Sequence, residues 1–245
     1  MPRLGRGIHD FAAVPPVRPR LSAGDATRRT LFPRQGWYSV RRMSDRASRG
    51  NAAGAGLAEL LAEVRACRRC AADLPLGPRP VLRAKPGARL LIVGQAPGTR
   101  VHATGVPWND PSGDRLRDWM AVDRATFYDD SRIAIVPMGF CYPGRDARGG
   151  DRPPRSECAP IWHGPLRSLL PNVRLTLLVG RYAHRYYLSP PHRSAAERVR
   201  AYTEVRGRFF PLPHPSWRTT AWRRRHPWFE AEVLPTLRAR VAAVL

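Results

Sequence analysis

The four cysteines of this 245-residue chain fall as Cys67-Arg-Arg-Cys70, Cys141 and Cys158. Two thiols three positions apart can clamp a metal from a single turn. The other two reach the same place only after the chain has folded back, and no cysteine is left over. Four thiolates around one centre suit zinc or an iron–sulfur cluster. Against that stands the plain alternative of four unrelated buried thiols, since a free cysteine packs as a small hydrophobe. A disulfide framework is not expected, because nothing else in the chain resembles a secreted, stapled protein.

Three short loops carry the remaining chemistry. Gly94-Gln95-Ala96-Pro97-Gly98 has glycines that allow close backbone approach and a glutamine that can both donate and accept. Thr104-Gly105-Val106-Pro107-Trp108-Asn109-Asp110 places an indole beside an amide and a carboxylate. His214-Pro215-Ser216 offers an imidazole. Taken singly, each is an ordinary turn, and a lone histidine is more often a satisfied structural residue than a catalyst. Their order along the chain is the informative part.

These loops need elements to hold them. Arg89-Leu-Leu-Ile-Val93, Ile133-Ala-Ile-Val136 and Leu175-Thr-Leu-Leu-Val179 are continuous apolar runs, the mark of strands buried on both faces. Phe209-Phe-Pro-Leu212 is a weaker fourth. Between them lie helical stretches: 53–66, with Leu57, Leu60, Leu61 and Val64 on one face; one capped at Ser112 and carrying Leu116, Trp119 and Met120, with Asp114 in its first turn; 157–170; 181–188; and 228–245, with Phe229, Val233, Leu237, Val241 and Leu245 in step. Alternating strands and helices predict an α/β domain, three layers deep, around a mostly parallel four-stranded sheet. In such sheets ligands bind beyond the carboxyl ends of the strands, where all three loops fall.

Composition sets the outer bounds. The formal net charge is +23, which calls for a polyanionic partner, usually nucleic acid. Lys85 is the only lysine, so part of the arginine excess reads as genome composition. Residues 1–50 hold eleven Arg against three Asp, five prolines and no sustained periodicity, which predicts a disordered basic tail ahead of a domain at 51–245. Met43 opens the better-ordered stretch, so residues 1–42 are expected to be dispensable for fold and activity. No apolar run approaches the ~20 residues of a membrane span, and a soluble, cytoplasmic monomer is expected.

The order of a Gly-rich loop, an aromatic loop and a terminal His-Pro-Ser, together with the cysteine spacing, resembles the uracil-DNA glycosylase superfamily. Within it the chain is most similar to the branch with a four-cysteine [4Fe–4S] cluster. The likeness runs from about Leu57 to the C-terminus. It implies a hydrolase that cuts the N-glycosidic bond of uracil in DNA, with Cys67, Cys70, Cys141 and Cys158 as cluster ligands. It also implies that His214 stabilises the departing base, that Trp108 stacks on it, and that Ala96, Gly98 and Ser216 line the substrate site. Gln95 stands where that branch usually has Glu, so water orientation falls to Gln95, Asn109 or Asp110. The stretch Val136-Pro137-Met138-Gly139-Phe140 lacks the Asn that the family tends to use to read uracil. Trp217 or Arg218 would wedge into the duplex, with Arg223, Arg224 and Arg225 on phosphates. Two other readings stay open on the residues: a non-catalytic protein that binds damaged or abasic DNA, and a zinc-stabilised nucleic-acid-binding domain.

Overall fold

A computed structural model of the protein describes residues 41–147, 149–188, 194–203 and 208–245. The segment expected to be a tail lies outside these residues up to position 40, and its last ten residues are helical. They belong to α1 (Arg41–Ala66), which starts twelve residues before the apolar stripe predicts.

The four apolar runs form strands β1 (Leu90–Val93), β2 (Ile133–Ile135), β3 (Leu175–Val179) and β4 (Phe209–Leu212). They make one parallel sheet in the order β2-β1-β3-β4, with Leu90 in register with both Ile133 and Leu175, and Thr176 with Phe209. Pro211, which cannot donate to a ladder, is tolerated because β4 is an edge strand. At the opposite edge Arg83 forms an antiparallel bridge with Ile135.

Side chains alternate across the sheet, and the sheet is buried on both faces. Leu90, Ile92, Ile133, Ile135, Leu177 and Phe210 pack to one side. There they meet Leu116, Trp119 and Met120 of α3 (Pro111–Met120), Phe127 of α4 (Arg124–Tyr128) and Val199 of α7 (Ala195–Arg200). Leu91, Val93, Ala134 and Leu178 pack to the other side. Their partners are Leu57, Leu61 and Val64 of α1, Leu166 of α5 (Cys158–Ser168) and Ala183 of α6 (Arg181–Tyr187). The expected three-layer α/β/α architecture is therefore the observed one.

Local differences have local causes. Asp110, not Ser112, caps α3: its Oδ1 accepts from Gly113 N at 2.8 Å, and Pro111 takes the first helical position, where no N–H is needed. The C-terminal helix is split into a π-helical segment, Phe229–Val233, and α9 (Leu234–Ala242). Pro235 at the start of α9 removes one i→i−4 donor, and the wider turn precedes it. Phe229, Val233, Leu237 and Val241 are still buried as the spacing predicts. Four short helices, α2 (Thr99–Thr104), α4, α7 and α8 (Thr219–Arg225), lie in stretches for which the sequence predicts no helix.

Candidate active site

A cavity of about 270 Å³ opens at the carboxyl edge of the sheet. The loop after β1 supplies Gly94 through Gly98, the stretch after β2 supplies Pro137, and the loop after β4 supplies His214 and Ser216. The loop before α3 adds Trp108 and Asp110. Every residue expected to touch substrate thus lines one cavity.

Backbone detail explains how they converge. The indole of Trp108 lies over Gly94, whose Cβ would stand 2.8 Å from the ring. It also faces His214, with ring centroids 5.7 Å apart and planes 31° from parallel. Trp108 holds a φ of 56°, an unusual conformation for a bulky residue that costs roughly 1–3 kcal/mol and tends to persist at functional sites. Its loop is braced from below: Tyr128 donates to Pro107 O at 3.0 Å, and the buried Arg117 donates to Trp108 O at 3.4 Å. Gly180, at φ 90°, leaves room for the Gln95 amide, whose Nε2 lies 2.8 Å from where a Cβ would be; His214 Cβ is 3.4 Å from the same point. Gln95 therefore sits beside His214 on the cavity floor.

The His214 backbone is fixed by Ser216 N, which donates to its carbonyl at 2.9 Å, and by the Thr219 hydroxyl, which donates to the same oxygen. Arg115 donates to Pro215 O at 2.8 Å, tying α3 to this loop. Neither ring nitrogen of His214 is hydrogen-bonded to a described residue. The ring keeps some surface toward the cavity but lies deep in the protein, and desolvation pushes its pKa down to about 4, opposed by the Asp110 carboxylate. At neutral pH the imidazole is uncharged and has one N–H to donate.

Two other buried histidines share this state. His163 is held between Pro137 O, 3.0 Å from Nε2, and the Tyr187 hydroxyl, 2.6 Å from Nδ1. A carbonyl can only accept, so Nε2 carries the proton. His184 Nε2 lies 2.9 Å from Leu178 O. Burial lowers the pKa of each to about 4. The folded value lies below the unfolded one near 6.5, so between them the unfolded chain binds more protons. Stability is expected to be full above about pH 6.5 and to fall toward pH 4, at about 1.4 kcal/mol per pH unit for each histidine. Urea melts at three pH values measure this slope, and His184→Gln should lessen it by one histidine's share.

The residues assigned to DNA differ in their surroundings. Trp217 is 74% exposed at the cavity mouth, with the Arg218 guanidinium 5.4 Å from its ring centre. Arg224 and Arg225 are exposed on α8. Arg223 is engaged with Glu230, donating from Nε at 2.8 Å. Asn109 does not line the cavity; its Oδ1 accepts from Arg124 at 3.1 Å.

The cysteines lie apart from the main cavity. Cys67 and Cys70 are in the turn after α1, Cys141 follows Phe140, and Cys158 opens α5. All four are free thiols, and all line one small cavity of about 30 Å³ walled by Leu74, Phe140 and Trp162, with Arg155 at its edge. Burial raises the pKa of Cys70 and Cys141 and pushes Cys158 up to about 12; neighbouring thiols add to each shift. Among the described residues no three His, Cys, Asp or Glu side chains form a group that could hold a metal ion.

The family model of the uracil DNA glycosylase superfamily matches residues 83–238, nearly two thirds of the chain. The chain belongs to that superfamily. The match takes in the cavity loops, Cys141 and Cys158, and leaves Cys67 and Cys70 outside it. Members of the uracil DNA glycosylase superfamily are typically glycosylase hydrolases. Among the described residues no helix is long and apolar enough to cross a membrane. The sequence reading missed several lining residues, among them Arg145, Gly149, Gly150 and Asp151. They sit in an irregular stretch with no motif of its own, and only the arginine-rich, aspartate-punctuated run 145–152 marked it.

Proposed function

We propose that the protein is a DNA glycosylase that hydrolyses the N-glycosidic bond of deaminated bases, chiefly uracil, and leaves an abasic site. The observation that carries this reading is a neutral imidazole just past the last strand, bonded through neither ring nitrogen to a described residue and tilted against the indole of Trp108. At about 270 Å³ the cavity lies near the small end of ligand sites, the scale of one base rather than a stretch of strand. A base swung out of the duplex would lie against Trp108, at an unstacking cost of a few kcal/mol that is lowest at mispairs. His214 would donate to the base carbonyl on which negative charge gathers as the bond to the sugar lengthens. Gln95, beside it, would hold the base edge. Trp217 and Arg218, exposed at the cavity mouth, would fill the vacated stack, with Arg224 and Arg225 on phosphates.

The four cysteines fit a [4Fe–4S] cluster. They are free thiols, and they share one small cavity with apolar walls, a donor set that suits such a cluster. Bound there, a cluster would supply a structural tie between the end of α1, the loop after β2 and the start of α5. Cys141→Ser is expected to bleach a brown protein and reduce its folded yield. A colourless parent without iron sinks the cluster.

The function is tested by incubating the protein with uracil-containing duplex and single-stranded oligonucleotides, then cleaving abasic sites with alkali. Strand scission at the uracil supports the reading. Tight binding to abasic DNA with no base released would favour the damage-binding alternative, which the glutamine at position 95 keeps in view.

A further inference from the structure

Once a base departs as an anion, the cationic sugar left behind must meet a water, and a carboxylate is the group that best holds one there. Gln95 cannot take a proton, and its amide is turned to Gly180 on the cavity floor. Asn109 is bonded to Arg124 outside the cavity. Asp110 lines the cavity, but its Oδ1 is committed to the cap of α3.

Asp151 lines the same cavity from another side. It closes a turn in which Asp146 N donates to Gly150 O at 2.8 Å, and it forms an antiparallel bridge with Arg145. The turn brings Asp151 Oδ2 to 3.7 Å from the point a Cβ on Gly98 would occupy, so the carboxylate overhangs the first loop. Arg218 packs on the same turn, its Nη1 3.5 Å from the Cβ position of Gly150.

We propose that Asp151 places the attacking water and accepts its proton, a role that rests on the glycosylase reading above. The C1′–N bond breaks first, and the water oxygen then bonds to the electron-poor C1′. The bonding pair leaves with the base, whose charge His214 steadies by donating a hydrogen bond. The proton lost by the water passes to Asp151 and on to solvent, and the base anion regains a proton from solvent. Although Asp151 is exposed at the rim, desolvation raises its pKa, with Asp110 and Asp146 adding and Arg145 and Arg218 opposing. The acid limb of the rate profile should therefore lie above the ordinary aspartate range.

Single-turnover base release across pH, with the full chain and uracil-containing oligonucleotides, tests this role. Asp151→Asn is expected to release base roughly 10²–10⁴ times more slowly. Its acid limb should vanish, its affinity for abasic DNA should hold, and added formate should restore part of the rate. Asp151→Ser is the second variant should the first fail to fold. Parental release with an unchanged limb by either folded variant overturns the role, as does loss of release in Asp110→Asn alone. A parent that releases no base overturns the glycosylase reading and this role with it; an active parent beside an equally active Asp151→Asn overturns the role alone.

Discussion

Replacing His214 with alanine is expected to slow base release by roughly 10²–10³, the usual consequence of removing one donor aimed at developing negative charge. Affinity for abasic DNA should stay near the parental value. The contact strengthens only as the bond to the sugar breaks, so its loss falls on turnover and not on binding. The donor is neutral before the reaction begins, because burial holds the pKa near 4. The His214 contribution should accordingly be constant from pH 8 down to about 5, and any acid limb above that must come from another group. Single-turnover release from a uracil oligonucleotide measures the loss. A His214→Ala variant that excises at the parental rate would reduce this residue to a packing partner of Trp108.

Gly113→Ala is expected to be the most damaging single methyl in the domain. Gly113 is buried in the first turn of α3, and a Cβ there would lie 1.7 Å from Trp108 O and 2.6 Å from Trp108 C. Both are backbone atoms held by the Arg117 and Asp110 contacts, so neither can swing aside. Ordinary overpacking costs ~1–3 kcal/mol, and this clash should reach or exceed the top of that range. The alternative outcome is a shift of Trp108 out of the cavity, seen as lost base release with a milder drop in melting temperature. Gly164→Ala in α5 is the control: nothing stands within 4 Å of its Cβ position, and a helical Gly→Ala exchange there should be neutral or slightly stabilising. An unchanged melting temperature and unchanged release in Gly113→Ala would refute the packing argument.

The architecture was legible because buried parallel strands leave long apolar runs, and Leu90–Val93 and Leu175–Val179 have no other reading. The cavity was legible through the order of its loops: His214 lies over a hundred positions from Gln95 and Trp108 yet closes on the same space. The cap of α3 was misread by two residues, because Asp110 and Ser112 are equally good caps and only Pro111 between them decides. Asp151 and Arg145 were not legible, since an irregular turn has no period to betray which side chains face inward. Trp108 shows another limit: its left-handed backbone depends on glycines at 94 and 113, which no local pattern around the tryptophan announces.

The strand order has a consequence for synthesis. Gln95 follows the first strand to leave the ribosome, and His214 follows the last; β3, which lies between their strands, bears Gly180, against which both side chains rest. Domains take shape as their chain emerges, N-terminal parts first. A nascent chain with three strands in place has a floor and an indole but no imidazole, and its sheet still has an open edge at β3. The cavity is completed only when β4 docks, and the π-helical segment and α9 then cover the face beneath it. Translation that stops short of β4 therefore yields a chain that lacks both a sealed sheet and a finished site, so incomplete products are expected to be catalytically silent and readily degraded.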